Sequence, residues 1–373
     1  MKKLNFVTKL FGWNIKLWQR ERFLDEHKRW IAYIALFVPA IMIPPIFCNL
    51  YLGHDDLGEA IYDFFTAMID ITGLIRSIVI LRKQRKFLNL FGVVESWYED
   101  LKHPNEHKAL ETLNQIVAKV QMYSKCCLYS LLMVDVTYAF EPIITHYGKL
   151  VVELQLPSID LHQSPVYEMV YLIQALWLVP LTSVNYVSYS NSLLIFTIFG
   201  VFATRHLQQK LMEISQMEDD EALANLKQCV VYHSKIIKFG EDLEELYSLM
   251  SLLDISLYCI SVCLMLVYLT MDFTWPLLFK GVIVILFLTT LIFLTYHVAD
   301  VLTNESMNIA ELAYNTNWMD RDKEFRSCIQ VIIVRSQRPL MLTAGGFQPM
   351  NMKTFLAIMR ASYSFFSVLR STV

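Results

Sequence analysis

Thr354-Phe-Leu-Ala-Ile-Met-Arg-Ala-Ser-Tyr-Ser-Phe-Phe-Ser-Val-Leu-Arg370 is the stretch whose reading decides the fold. At about 1.5 Å per residue, a helix of this length crosses most of a bilayer. Turning roughly 100° per residue puts Thr354, Ala357, Ala361, Ser364 and Val368 on one narrow stripe. Phe355, Ile358, Met359, Phe366 and Leu369 spread over the remaining surface. Two uses fit a helix with one slender, weakly polar side. Small residues let membrane helices pack closely. They also line aqueous paths, with Val368 placed to form a hydrophobic constriction that closes by excluding water.

Outside this stretch, composition sets the class. The 373 residues are 55% hydrophobic, mean hydropathy is +0.39, and charges gather between apolar runs of about 20 residues. Soluble domains bury shorter, patterned segments. The expected fold is all-α: a polytopic membrane protein with seven transmembrane helices, embedded in a lipid bilayer. A net charge of −3 gives no reason to expect nucleic acid as a partner. Glycine-rich nucleotide loops, His-Glu-x-x-His and Gly-x-Ser-x-Gly are all missing from the sequence, so no enzyme is expected. Of the seven cysteines only Cys48 is expected near the outer surface, which leaves no external disulfide. Cys259 and Cys263 share a helix face without a histidine or carboxylate beside them. Buried packing is expected there, and neither a metal nor any other cofactor.

Residues 1–29 are basic and amphipathic, with Phe6, Phe11, Trp13 and Trp18 among eight lysines and arginines; a helix lying on the inner leaflet is expected. The first apolar run is too long for a signal peptide. Region 30–203 holds spans one to four, at about 30–52, 59–81, 120–144 and from Pro165 to about 203, with Pro39, Pro44 and Pro45 kinking the first. Region 204–245 reads as cytosolic helix, 246–298 as spans five and six, and 299–349 as a polar helical stretch broken at Gly345-Gly346. The final helix occupies 350–373, with Asn351 as its N-cap.

Basic residues orient the bundle. The amino terminus, 82–119, 204–245 and 299–349 together carry twenty-five lysines and arginines, whereas the alternate loops hold only Lys149. The expectation is a cytosolic amino terminus and an extracellular carboxyl terminus. A G-protein-coupled receptor has the opposite orientation, and neither an Asp-Arg-Tyr run nor an Asn-Pro-x-x-Tyr motif is present. The Asn304-Glu-Ser306 sequon then falls in the cytosol and stays unmodified.

Charges inside spans are costly and mark function or pairing. Asp70, Arg76, Lys125, Asp135 and Asp254 have mixed signs, which predicts interhelical pairs such as Asp254 with Arg76 or Lys125 and argues against a proton-coupled transporter. His297 and Asp300 fit either a proton relay or a hydrogen-bonded pair at a helix end. Aromatics and thioethers crowd the outer halves of several spans: Phe64, Phe65 and Met68; Met133, Thr137 and Tyr138; Tyr171, Gln174, Trp177 and Leu178; Phe279 and Ile283. An apolar pocket with polar handles at Thr137, Tyr138 or Gln174 would hold a small volatile molecule, and ordinary helix packing would use the same residues.

Arg335-Ser-Gln-Arg-Pro339, Thr343-Ala-Gly-Gly-Phe347 and Tyr363-Ser-Phe-Phe-Ser-Val-Leu369, with Tyr314 and Trp318 upstream, resemble the carboxyl-terminal signature of insect odorant receptors. The resemblance is dense over the last stretch of chain and elsewhere covers length and span pattern only. It implies an odorant-gated cation channel in the plasma membrane of a sensory neuron dendrite, formed as a heterotetramer with a shared odorant co-receptor. It implies an odorant site in the outer part of the bundle and anchor segments at 204–245 and 299–342. It also implies a pore lined by Ala357, Ala361, Ser364 and Val368. The short segment between spans four and five resembles a ligand-tuning subunit rather than the co-receptor. A gustatory-receptor-type channel is the nearest alternative. Arg360 sits about 40° from Ser364 on the final helix; it pairs with a neighbouring subunit's carboxylate or lies below the narrow part.

Overall fold

The computed structural model describes residues 5–20, 29–52, 57–145, 149–156, 160–271 and 275–372. Its helices are α1 (Asn5–Phe11), α2 (Trp13–Arg20), α3 (Arg29–Leu52), α4 (Leu57–Arg82), α5 (Gln84–Asp100) and α6 (His107–Thr145), followed by α7 (Val166–Ile173), α8 (Val179–Ile214), α9 (Asp219–Met271), α10 (Trp275–Tyr314), α11 (Lys323–Ser336) and α12 (Met352–Thr372). A small hairpin, β1 (Thr343–Ala344) and β2 (Gln348–Pro349), pairs antiparallel with Thr343 opposite Pro349, just ahead of α12.

Several rods outrun a bilayer. The 53 residues of α9 reach about 80 Å, more than twice the hydrocarbon thickness. The positions 203/204, 245/246 and 298/299, where composition changes from apolar to charged, fall inside α8, α9 and α10. Bundle and base therefore share continuous rods.

The central post is α8. Of the most apolar stretch in each long helix, 89% is buried within Val166–Ile214, against 44% within Asp219–Val267 and 22% within Val282–Tyr314. Thr182, Asn185, Ser188, Asn191, Ser192, Thr197 and Thr204 are all buried along it. The Thr182, Ser192, Thr197 and Thr204 hydroxyls bond backward into the helix, as Thr197 does to the Leu193 carbonyl at 2.8 Å and Thr204 to that of Gly200 at 2.9 Å. Small polar side chains let neighbouring helices approach closely. The tightest approach is at Gly73 of α4, where a Cβ would stand 2.6 Å from the Thr182 carbonyl oxygen.

A single π-helical turn, Gln174–Leu178, joins α7 to α8. Pro180 explains it: proline supplies no N–H and its ring crowds the carbonyl four residues back, so the preceding turn widens and Val179 N–H reaches the Gln174 carbonyl instead.

The amino-terminal helices are amphipathic as expected, but their apolar side docks on protein. Phe6, Val7, Leu10, Phe11, Ile15 and Trp18 are buried, and Phe11 meets Phe91 and Phe196 edge-on at 5.0 and 4.7 Å. Glu95 on α5 holds the start of α1, its two carboxylate oxygens accepting from Phe6 N–H at 3.1 Å and Val7 N–H at 2.9 Å. An amphipathic pattern does not distinguish lipid from a protein groove, and here the groove of α5, α6 and α8 takes the apolar face. Around it the base forms an aromatic core in which Phe91 stacks on Phe196 (5.3 Å) and Trp97 on Phe199 (5.7 Å).

Polar ties close the base. Glu106 accepts from His206 at 2.8 Å and also bonds Lys210, while Arg205 pairs with Glu305 at 2.7 Å and Arg321 with Asp219 at 2.5 Å. Hydrogen bonding to His206, with Lys210 beside it, pulls the Glu106 carboxyl down to about 2. Burial, with Arg335 nearby, pushes the His233 imidazole down to about 4.

Candidate functional site: two cavities that share Tyr186

At the end of the bundle opposite the base, the segment 149–156 folds back over the helices and Gln174 clamps it. The Gln174 side-chain oxygen accepts from Val151 N–H (3.0 Å) and Val152 N–H (3.2 Å), and its amide donates to the Val152 carbonyl (2.8 Å). Tyr167 donates to the Lys149 carbonyl at 3.1 Å, and Tyr171 to that of Ala139.

Beneath this cover lies a partly open, mostly apolar cavity. Its walls come from Asp70 of α4, Asp135 and Tyr138 of α6, Thr182, Ser183 and Tyr186 of α8, and Phe287 of α10, with Val152 above. Two buried carboxyls stand in an otherwise apolar chamber. Thr182 donates to Asp70 at 2.7 Å and Ser183 to Asp135 at 2.9 Å. Consecutive residues of α8 thus hold acids from two other helices.

A second, smaller space lies deeper, lined by Tyr186, Tyr189, Ser190, Asp254, Tyr296 and Met350 among others. Tyr186 belongs to both. Between them Arg76 is almost wholly buried, 1% exposed. Its guanidinium lies 3.6 Å over the Tyr186 ring, donates to the Tyr186 carbonyl (2.5 Å) and Ser190 (2.9 Å), and forms a salt bridge with Asp254 of α9. A buried arginine demands such a complete set of partners. Of the two partners expected for Asp254, Arg76 is the one it meets; Lys125 is exposed.

Of the residues expected to hold a volatile molecule, Tyr138 lines the outer cavity, and Ile283 is half-buried next to Val284, which lines it too. Gln174 spends its polar atoms on the cover, and Tyr171 donates to the Ala139 carbonyl of α6. Thr137 bonds its own helix at the Val134 carbonyl, 2.7 Å away. Leu178 is buried in a neighbouring cluster with Ile46 and Tyr167, Met133 and Trp177 are exposed, and Phe64 and Met68 are half-buried. The side chains of Phe65 and Phe279 lie outside the described residues. Asp70 and Asp135 were visible in sequence as charges within spans, open to pairing or to a functional role, and the partners they meet are Thr182 and Ser183.

The last helix is capped as its sequence predicts, Asn351 accepting from Thr354 N–H at 2.8 Å. Its inward face is Thr354, Phe355, Ile358 and Ser362, all buried. Ala357, Ser364 and Val368 are exposed, as is Arg360, and Ala361 is half-buried. Thr354, on the small stripe by angle alone, is thus turned inward. Ahead of α12 the hairpin is riveted to α9: Gly345 N–H donates to the Ser248 carbonyl (2.9 Å), Gly346 N–H to the Ser248 hydroxyl (2.8 Å), and Thr343 N–H to Glu244 (2.8 Å). Gly345 adopts φ +69° and a Cβ would stand 2.7 Å from Leu252, so glycine is required there. His297 stacks on Phe293 (6.0 Å). Among the described residues, no group of three histidines, cysteines or carboxylates is placed to hold a metal.

Long apolar rods around a polar-studded central helix define a polytopic helical membrane protein with a cavity at one end. Residues 56–363 match the family model described as 7tm Odorant receptor, and the chain belongs to that family of seven-span receptors, which are not enzymes. It is 27% identical over 372 residues to Odorant receptor 30a of Drosophila melanogaster, covering 97% of this chain and 96% of that one. It is 24% identical over 363 residues to Odorant receptor 10 of Aedes albopictus, covering 96% of both. In fold it is similar to the olfactory receptor OR5 of Machilis hrabei, solved in complex with eugenol, with a TM-score of 0.82 at 17% identity over 94% of this chain and 91% of that one.

Proposed function

We propose that this chain is the ligand-tuning subunit of an odorant-gated cation channel, assembled with the shared co-receptor as a heterotetramer in the plasma membrane of a sensory neuron dendrite. The amino terminus and the base lie in the cytosol and the 149–156 cover lies outside, in keeping with the lysine and arginine distribution. The odorant occupies the cavity under that cover. The last helix of each subunit lines a shared pore through Ala357, Ala361, Ser364 and Val368, with Val368 at the constriction. The exposure of Ala357, Ser364 and Val368 in the isolated subunit, opposite a buried Phe355 and Ile358, supports that assignment.

The single observation that carries the reading is the shared Tyr186. It forms a wall of the odorant cavity, and Arg76 ties it to Asp254 on α9. The same helix carries the hairpin that starts α12 and touches α12 again through Tyr258, whose hydroxyl lies 3.2 Å from Met359 Sδ. An odorant that packs better against a shifted Tyr186 biases α9, and with it the pore helix. A ligand binding both states equally opens nothing. Current recorded from cells expressing this chain with and without the co-receptor, during a screen of volatile amines, alcohols and esters, tests the proposal. Odorant-evoked current that needs both chains is the expected result.

A further inference from the structure

Within the cavity reading, we infer that the ligand is a small apolar molecule whose head group donates a hydrogen bond from nitrogen, foremost a primary amine. Among the described residues, the cavity wall contains no lysine, arginine, histidine, asparagine, glutamine or tryptophan. Its polar groups are the carboxyls of Asp70 and Asp135, 6% and 8% exposed, and hydroxyls on Thr182, Ser183, Tyr138 and Tyr186. The Thr182 and Ser183 hydroxyls are already turned to the carboxyls. Each acid accepts through one oxygen from α8, Asp70 through Oδ1 and Asp135 through Oδ2. A carboxylate takes about four donors at full capacity, so the chamber presents a surplus of acceptors. An ester or ether adds another acceptor and brings no donor for the remaining carboxyl oxygens. An ammonium supplies three donors and a balancing charge, and the faces of Tyr138, Tyr186 and Phe287 suit both a cation and an apolar body. Arg76, which lies against Tyr186, is engaged with Asp254.

The test uses the full chain expressed with the co-receptor and three probes of nearly equal shape: benzylamine, benzyl alcohol and benzyl methyl ether. The amine is expected to act at concentrations about tenfold or more below the ether, a single charge-assisted bond. Asp70→Asn and Asp135→Asn should shift the amine response about tenfold while moving the ether response little, with surface labelling confirming that each variant reaches the membrane. Equal potency of amine and ether, or equal shifts for every probe, overturns the inference. A filling substitution, Val284→Phe, separates the two readings. If it abolishes responses that nevertheless favour the ether, the cavity stands and the donor rule fails. If responses survive it unchanged, the cavity assignment itself fails, and the donor rule with it.

Discussion

Arg76 on α4 and Asp254 on α9 form a salt bridge in the interior of the bundle, with the guanidinium flat against Tyr186. Removing one partner strands a buried charge, a loss of about 3–5 kcal/mol, whereas replacing both by apolar groups is often neutral. Arg76→Ala should therefore sharply cut the folded yield at the cell surface. Arg76→Met with Asp254→Leu should restore much of the yield but weaken odorant-evoked current, measured against surface-labelled receptor. Full current in the double variant would remove this pair from the coupling route.

Gly73→Ala sets a Cβ against the Thr182 backbone, 2.6 Å from its carbonyl oxygen. Backbone cannot yield as a side-chain tip does, so overpacking costs about 1–3 kcal/mol. Thermal unfolding of the detergent-solubilised protein should start at a lower temperature, and Asp70 should lose its bond from Thr182.

Gln174→Ala removes the three hydrogen bonds that hold Val151 and Val152. Leaving these groups unpaired costs about 1–3 kcal/mol. Hydrogen exchange across 149–156 should accelerate while exchange in the base stays unchanged.

Acid should loosen the base in two stages. His233 is held below its ordinary 6.5, so the unfolded chain takes the extra proton and stability falls as pH drops from 6.5 toward about 4. Glu106 is held below its ordinary 4.5, so its contribution is complete above 4.5 and disappears as pH falls toward about 2. Unfolding temperature followed against pH should lose the upper stage in His233→Gln and the lower one in Glu106→Gln.

Val368→Ala trims the proposed constriction and should raise current in the absence of odorant. Unchanged leak and gating in patch-clamp recordings would take Val368 out of that role.

The sequence made the helices, the cap at Asn351 and the Arg76–Asp254 pair legible, because each follows from local rules: apolar length, a side chain next to a helix start, opposite charges at similar depth. The amino-terminal helices were misplaced onto lipid because Phe11 and Trp18 would look alike against lipid or against Phe91 and Phe87. The cavity was less legible still. Gln174 reads as a ligand handle until the fold of 149–156 is known, and Asp135 reads as half of an ion pair until Ser183 is seen beside it. Which polar group faces a void depends on helix rotation, and the π-turn at Gln174–Leu178 shifts that rotation in a way periodicity cannot register.

That turn holds one residue more than a regular helix needs. Deleting a single position there, Leu176 for example, would swing Tyr167 and Tyr171 about 100° around the axis while Thr182 and everything beyond kept its register. Receptor lineages built on this scaffold thus have a way to re-aim the mouth of the chamber by insertion or deletion, leaving the base as it was.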